Sequence, residues 1–361
     1  MKYDIESVFT VFVPDGKISG ITVVKSGNIN DTYVITAEDG EMYTLQRINS
    51  YVFKDPAAIM SNISRVTDHI VRKLEERGEP VKNRVLLPLR TSDGKTFIRI
   101  GGSFWRMYPY ICHSVCYNEV SDLRVMTMVG KAFGEFQMLL ADFPAETLNE
   151  TIPDFHNTQK RFAQLYATAD EDPCGRAASV KNELEFLRSM EHVATRIGTL
   201  VDSGDMMLRV THNDTKSNNV LLDEKTGEPL AVIDLDTVMQ GLAVHDFGDA
   251  VRFAANTASE DEADLLCVGL DIAKYEAFVR GFIPPIRSSL SSVEIKNMAL
   301  GAVTMAAELA ARFLQDYIAG DLYFKTVYEK QNYIRARCQM ALANDMLLKY
   351  DKMCEIVERY A

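Results

Sequence analysis

THNDTKSNNVLLDEKTGEPLAVIDLDTVMQGLAVHDFGDAVRF, from Thr211 to Phe253, decides how this chain is read. His212, Asp214, Lys216 and Asn219 fall in it as H-x-D-x-K-x-x-N, and Asp234 closes the apolar run AVID. VLL (220–222) and LAVI (230–233) are short runs of strand formers, and the charged, glycine-bearing DEKTGE between them reads as a turn. Folding this hairpin brings Asn219, just before its first strand, beside Asp234 at the end of its second. An amide oxygen and a carboxylate then converge where hard oxygen ligands can hold Mg²⁺ against nucleotide phosphates. With Asp214 as base and Lys216 as a phosphate-contacting cation, these are the parts that phosphoryl transfer requires. Each residue alone has a plainer reading: Asp214 a turn or cap, Asn219 a turn closure, Lys216 a solvated charge. Their order, their offsets and the second acid at the far end of the hairpin carry the argument together.

Asp246-Phe247-Gly248 spells the magnesium motif of protein kinases, but it stands too far past the hairpin to supply the metal ligand. Asp234 is better placed. Asp246 is expected to be a buried acid that accepts hydrogen bonds from the catalytic loop, from its backbone or from His212. His212 with His245-Asp246 also suggests an H…HD metal phosphohydrolase. That chemistry places its ligands on helices, whereas the intervening sequence alternates as strands and supplies no convincing remaining ligands.

The segment resembles the aminoglycoside phosphotransferase and choline kinase superfamily, which shares a distant protein-kinase-like fold. More narrowly it is similar to the bacterial N-acetylhexosamine 1-kinases, through THNDTKSNN, VIDLDTV and GLAVHDFGDAVRF, through SGNINDTYVI and LQRINSYVFKDPAAIM near the start, and through RFLQDYIAGDLYFK late in the chain. The likeness runs from about residue 20 to about residue 330. The catalytic loop is specific for the superfamily only; the N-terminal blocks and the late Arg-Tyr segment point to the subfamily.

Composition agrees with such an enzyme. A chain of 361 residues can bury two cores, or one divided core, with a cleft between. A net charge of −12 argues against nucleic acid or anionic membrane as the main partner. MKYDIESVFTVFV lacks a basic start followed by a sustained apolar core, so no signal peptide is expected and the protein reads as cytoplasmic; a monomer is the expected state, although oligomerisation is not legible in the residues. The longest apolar stretch, MALGAVTMAA near residue 300, falls short of a membrane span. Cys112, His113 and Cys116 lie close enough to suggest a metal, but no second ligand pair accompanies them. Free thiols in a reducing cytosol are the simpler account.

The organisation changes once along the chain. Up to residue 106, ITVVKSG, DTYVITAE, MYTLQRI and TFIRI read as strands, with turns at EDG and SDG. DPAAIMSNISRVTDHIVRKLEERG interrupts them as a helix, with proline at its start and glycine at its end. After RMYPYI, long helices are expected over 122–143, 181–201, 260–282, 292–318 and 325–360. The expected fold is α/β (α+β): a β-rich nucleotide-binding lobe over 1–106, a hinge over 107–111, and a mainly helical catalytic and acceptor-binding lobe over 112–361. Met107 and Tyr108 in the hinge are candidates for adenine contact; Trp105 reads as core.

The small lobe departs from the protein-kinase pattern. Ser26-Gly27-Asn28-Ile29-Asn30-Asp31 sits where a phosphate-covering loop belongs, yet has one glycine, which alone reads as a plain hairpin turn. The resemblance implies a single-glycine loop here, with Gly27 at the nucleotide and Asn28 and Asp31 reaching sugar hydroxyls. MYTLQRIN has no lysine, leaving Arg47, beside Gln46, as the phosphate-binding cation or as a surface charge on an edge strand. No glutamate early in the next helix is placed to pair with it.

The acceptor follows from the resemblance alone, which implies ATP, Mg²⁺ and an N-acetylhexosamine (GlcNAc or GalNAc) with its anomeric hydroxyl facing Asp214. It nominates Arg312, Tyr323 and Phe253 as sugar contacts. From the residues alone, Arg312 pairs as readily with Asp316 one helical turn on, and Tyr323 and Phe253 default to core packing. Choline or ethanolamine, an aminoglycoside, homoserine or another sugar remain open as acceptors. So does a non-catalytic binding module, against which the retained Asp214, Asn219 and Asp234 argue.

Overall fold

Alternating apolar and polar residues build the first layer of the molecule. In the computed structural model, which describes residues 3–24 and 30–361, helix α1 (Ile5–Phe12) is followed by β1 (Ile18–Val24), β2 (Asp31–Ala37), β3 (Met42–Ile48), helix α2 (Pro56–Glu76), β4 (Ile98–Ile100) and β5 (Ser103–Pro109). These strands make one antiparallel sheet of order β1-β2-β3-β5-β4. Gly40 of EDG, at positive φ, turns β2 into β3. SDG closes a turn of its own, Gly94 N donating to Thr91 O, but no strand precedes it; Gly101-Gly102 make the β4–β5 turn instead.

The two-residue period sorts the sheet's side chains onto two faces. Tyr33, Ile35, Leu45, Trp105 and Met107 pack with Ile5, Val8, Phe9 and Phe12 of α1 in one buried cluster. Thr32, Val34, Thr44, Gln46, Arg106 and Tyr108 line a cleft on the other side. Asp55 caps α2 by accepting from Ala57 N and Ala58 N, and Pro56 opens the helix where its missing N–H costs nothing.

The rest of the chain is mainly helical. It comprises β6 (Ser114–Val115), α3 (Leu123–Leu139), α4 (Thr158–Glu171), α5 (Lys181–Ala194), α6 (Arg196–Asp202), β7 (Arg209–Thr211), β8 (Val220–Asp223), β9 (Pro229–Val232), β10 (Met239–Gly241), α7 (Ala243–Ala254), α8 (Ile272–Ile286), α9 (Ser292–Lys296), α10 (Met298–Ala319), α11 (Gln331–Leu348) and α12 (Tyr350–Tyr360). Apolar on nearly every side, α10 runs buried through this lobe. It approaches α7 so closely that a Cβ on Gly248 would sit 2.3 Å from Gly301 O. That contact explains why Gly248 follows Asp246-Phe247 here: it is a packing requirement of α7. No helix among the described residues is long and apolar enough to cross a membrane.

Several expected helices differ in extent. The acidic run after Glu260 is irregular, and α8 starts only at Ile272, where Asp271 caps it by accepting from Ala273 N and Lys274 N. Asp264 is spent capping a short 3₁₀ turn, and Asp261 accepts from Tyr328 and Gln331. Side-chain bonds to nearby N–H groups thus outcompete a helix there. The expected helix over 325–360 begins at Gln331 and breaks at Lys349, 181–201 breaks at Thr195, and 292–318 breaks at Asn297. Helices α1, α4 and α7 lie outside the helices that the sequence pattern predicts.

The lobes share a core. Ile59, Ile63, Val66 and Ile70 of α2 pack with Phe136 and Leu139 of α3 and with Leu235 and Val238. Asn62, fully buried, donates to Asn149 O (2.8 Å) and Val238 O (2.9 Å), so α2 is anchored to the strand region that carries the candidate site.

Candidate active site

The loop between β7 and β8 is held from beneath by two acids of α7. Asp246 accepts from His212 N and Asn213 N, each at 2.8 Å, and from the Gln137 side chain at 2.7 Å. This is the buried, loop-binding role expected of it. Burial raises its pKa, while His212 and these N–H donors oppose the rise. Asp249 accepts from Thr215 N (3.0 Å), and although burial works against its charge, Arg252 and His156 keep its carboxyl below the ordinary value. His212 donates from Nε2 to Ile233 O (2.9 Å) and accepts at Nδ1 from Asp214 N (3.3 Å), the neutral tautomer these partners require. Asn213 sits in the left-handed region at φ 63°, a conformation asparagine tolerates, and its amide bonds Thr237 O. Little of the loop is left to choose its own conformation.

Those constraints present one cluster to the cleft. Lys216 Nζ lies 3.0 Å from Asp214 Oδ1. Burial works against the ammonium, but Asp214, Asp249 and Glu260 outweigh it and hold its pKa above the ordinary lysine value. Asn219 spends its amide nitrogen on Asp214, 2.9 Å to the backbone oxygen and 3.3 Å to Oδ2, which leaves its oxygen outward. The hairpin aligns Val220 with Val232, and Ile233 N donates to Asn219 O (2.9 Å), so Asn219 and Asp234 end side by side. Asp234, at φ 61°, lines the cleft; desolvation by the cleft walls, with the carboxylates of Asp236 and Asp214, pushes its pKa up to about 6. An amide oxygen beside crowded carboxylates suits a hard divalent cation that keeps its remaining sites for phosphate and water.

The opposite wall is the sheet face carrying Thr32, Val34, Thr44, Gln46, Arg106 and Tyr108. Arg106 is fully buried; its Nε donates to Gln46 (3.0 Å), its Nη1 pairs with Asp236, and its guanidinium lies over the Tyr108 ring. Asn30 donates to the other oxygen of Asp236 (2.7 Å). Asp236 in this way supplies the buried counter-charge that α2 lacks. Arg47 lies on the other face, pairing with Asp31 at 2.6 Å over the Tyr3 ring, so neither it nor Asp31 lines the cleft. The period-two pattern explains the exchange: Arg47 aligns with Trp105 in the core-facing row, and Gln46 with Arg106 in the cleft-facing row. Sequence reasoning missed Arg106 because it lies inside an aromatic strand, FWRMYP. Tyr108 lines the cleft, whereas the Met107 side chain is buried against α1 and its carbonyl accepts from Leu89 N (2.7 Å). Strand β5 continues through Pro109, so the expected hinge begins inside it. Gly27 and Asn28 lie outside the described residues.

A family model of the phosphotransferase enzyme family, APH, matches residues 20–281. The chain belongs to that family. Solved structures of similar fold include a microcompartment-associated aminopropanol kinase (13% identity, 96% of this chain and 98% of that one, TM-score 0.61). An amicoumacin kinase in complex with AMP-PNP, Ca²⁺ and its ligand is similar at 13% identity over 95% and 94% of the chains, with a TM-score of 0.58. A choline kinase from Cryptosporidium parvum is similar at 9% identity over 94% and 92%, with a TM-score of 0.57. The sheet lobe and helical lobe described above are thus a protein-kinase-like fold.

In this phosphotransferase the three nominated acceptor residues fall in two places. Arg312 lies under the rings of Phe155, Tyr323 and Phe324. Its carboxylate neighbour is Glu308, at 3.9 Å; Asp316 instead accepts from Leu322 N, Tyr323 N and Phe324 N, ordering the segment that carries Tyr323. Glu308, with its carboxyl held down at about 2 despite burial, chiefly by His156, bonds His156 Nδ1 (2.8 Å). His156 Nε2 in turn donates to Asn213 O (3.1 Å), connecting this corner to the catalytic loop. Phe253 lies elsewhere, in a cavity of about 310 Å³ beside Arg252, Glu260 and Asn118.

Proposed function

We propose that this phosphotransferase moves the γ-phosphate of ATP to the anomeric hydroxyl of an N-acetylhexosamine, giving the hexosamine 1-phosphate. The observation that carries the transfer chemistry is the convergence of Asp214, Lys216, Asn219 and Asp234 on one cleft. The sugar acceptor is supported by the sequence blocks shared with N-acetylhexosamine 1-kinases, including Arg312, Tyr323 and Phe253.

Asp214 accepts the proton of the attacking hydroxyl as that oxygen bonds to the γ-phosphorus, and the bond from phosphorus to the β–γ bridging oxygen breaks to release ADP. Lys216 stands beside Asp214 and offers positive charge to the transferring group. Asn219 and Asp234 would hold Mg²⁺, which when bound neutralises charge on the nucleotide phosphates. Tyr108 and the apolar residues Val24, Val34, Ile111 and Leu221 would enclose the adenine. Arg106 backs the phosphate end of the cleft in place of the missing strand lysine.

Incubation with ATP, Mg²⁺ and a panel of N-acetylglucosamine, N-acetylgalactosamine, choline, ethanolamine, homoserine and aminoglycosides, with products read by phosphorus NMR, tests this. A 1-phosphate of an N-acetylhexosamine is expected. Turnover confined to another acceptor would replace the sugar assignment while keeping the chemistry.

A further inference from the structure

The peptide plane that leads into Asp214 is held at both ends by a histidine ring. Its N–H, from Asp214, donates to His212 Nδ1 (3.3 Å), and its carbonyl, Asn213 O, accepts from His156 Nε2 (3.1 Å). The other nitrogen of His156 meets the Glu308 carboxylate at 2.8 Å, and Thr158 Oγ1 donates to the second oxygen of that carboxylate (2.6 Å). Both partners of His156 can only accept, so the ring satisfies them together only with a proton on each nitrogen. Either neutral tautomer turns a lone pair towards Asn213 O or towards Glu308.

The surroundings suit an imidazolium. Burial works against the charge, but Glu308, fully buried on α10, outweighs it against Arg312 and raises the pKa above the ordinary histidine value. From α7, the His245 ring stands 5.8 Å away and Asp249 feels the charge of His156. Arg161 of α4 interacts with Arg312 and Glu308. On the open side His156 borders a cavity of about 380 Å³ with Glu150, Asp202 and Asp154, the last already paired with Lys160. Of these charges Glu308 alone bonds the ring among the described residues.

We infer that His156 is a positioning residue for the proposed base: its imidazolium fixes the peptide plane that carries Asp214, and the hold is released when the ring loses a proton. The inference rests on Asp214 acting as base and is independent of the acceptor's identity. Asn213 N is already bonded to Asp246 and its side chain to Thr237 O, so His156 sets the carbonyl and with it the direction of the next residue. A carboxylate displaced by about 1 Å from the attacking hydroxyl can slow transfer about a hundredfold. The competent form is the protonated one, so turnover should fall as pH rises through the folded value, which lies above about 6.5.

The test uses the full chain with ATP, Mg²⁺ and N-acetylglucosamine from about pH 5.5 to about 9. ADP release is read, because it counts transfer to sugar and to water alike. Wild-type kcat should fall on the alkaline side. His156→Asn keeps an N–H near the Nδ1 position and leaves Asn213 O bare, so kcat should drop about tenfold or more with KM for ATP little changed, and the alkaline fall should vanish. His156→Gln keeps an N–H near the Nε2 position and should retain most of the activity, again without the alkaline fall. Glu308→Gln removes the counter-charge and should move the fall to lower pH; it decides the matter if a His156 variant melts too low to assay. A flat wild-type profile, equal impairment of the two His156 variants, or an unmoved fall in Glu308→Gln overturns the role of His156. If Asp214→Asn releases ADP as fast as wild type, the base assignment itself fails and this inference with it.

Discussion

The catalytic loop and the α11 side of the neighbouring cavity treat their polar groups in opposite ways. In the loop, His212, Asn213 and Thr215 find partners within the protein, most of them on Asp246 and Asp249. Along α11, the Gln339 amide and Arg335 Nε have no hydrogen-bond partner among the described residues, although Arg335 Nε lies 4.0 Å from Glu260. Groups that act on every turnover are best preorganised before substrate arrives. The proposed catalytic loop is thus bonded from within the protein, whereas the buried amide on α11 is not.

Replacing the proposed base should disturb the preorganised side most. Asp214→Asn keeps shape and hydrogen bonding, so turnover should fall about 10²- to 10⁴-fold in steady-state assays with nucleotide affinity little changed. Near-normal turnover would remove Asp214 from the chemistry. Arg106→Met tests whether the cleft wall depends on its buried pair: leaving Asp236 buried without its cation should cost about 3–5 kcal/mol in denaturant unfolding. Pairing it with Asp236→Leu should recover much of that loss.

Two buried histidines set a pH signature. Burial and the neighbouring His156 push His245 down to about 4. Its neutral form is therefore favoured in the fold, and stability falls as pH drops from about 6.5 towards 4, by roughly 3 kcal/mol at most. His156 has the opposite sign: burial disfavours its charge, but Glu308 raises its pKa above the ordinary value, against Arg312. Its contribution is complete below about 6.5 and fades as pH rises through the folded value. Unfolding curves across pH should peak near 6.5, and His245→Asn should flatten the acid limb. The smallest effect belongs to Arg47→Ala, which breaks a part-exposed pair on the far side of the sheet. Under about 1 kcal/mol of stability and an unchanged KM for ATP are expected. A raised KM for ATP would return Arg47 to the nucleotide.

The sequence showed the lobes and the β8–β9 hairpin clearly because both rest on local rules. Strand alternation, the Asp55-Pro56 cap and the spacing around Asp214 are written within a few residues. Asp246 could also be anticipated, since a buried acid just past the hairpin has the loop backbone as its natural donor. What stayed hidden depends on partners distant along the chain. Arg106 was masked by the aromatic strand around it, and its partner Asp236 lies 130 residues away. Gln339 sits in a helix whose composition gives no hint that its buried amide finds no partner among the described residues. The acidic run after Glu260 misled in the other direction: its aspartates bind backbone and side chains instead of extending α8.

Asp236 has a mechanical consequence. By gripping Asn30 from the sheet lobe at one oxygen and Arg106 at the other, it rivets the two halves together behind the cleft wall. Pulling them apart there would strand an ion in a buried interior, so parting of the lobes is expected to cost least at the outer lip, like a clasp that swings on a fixed pin.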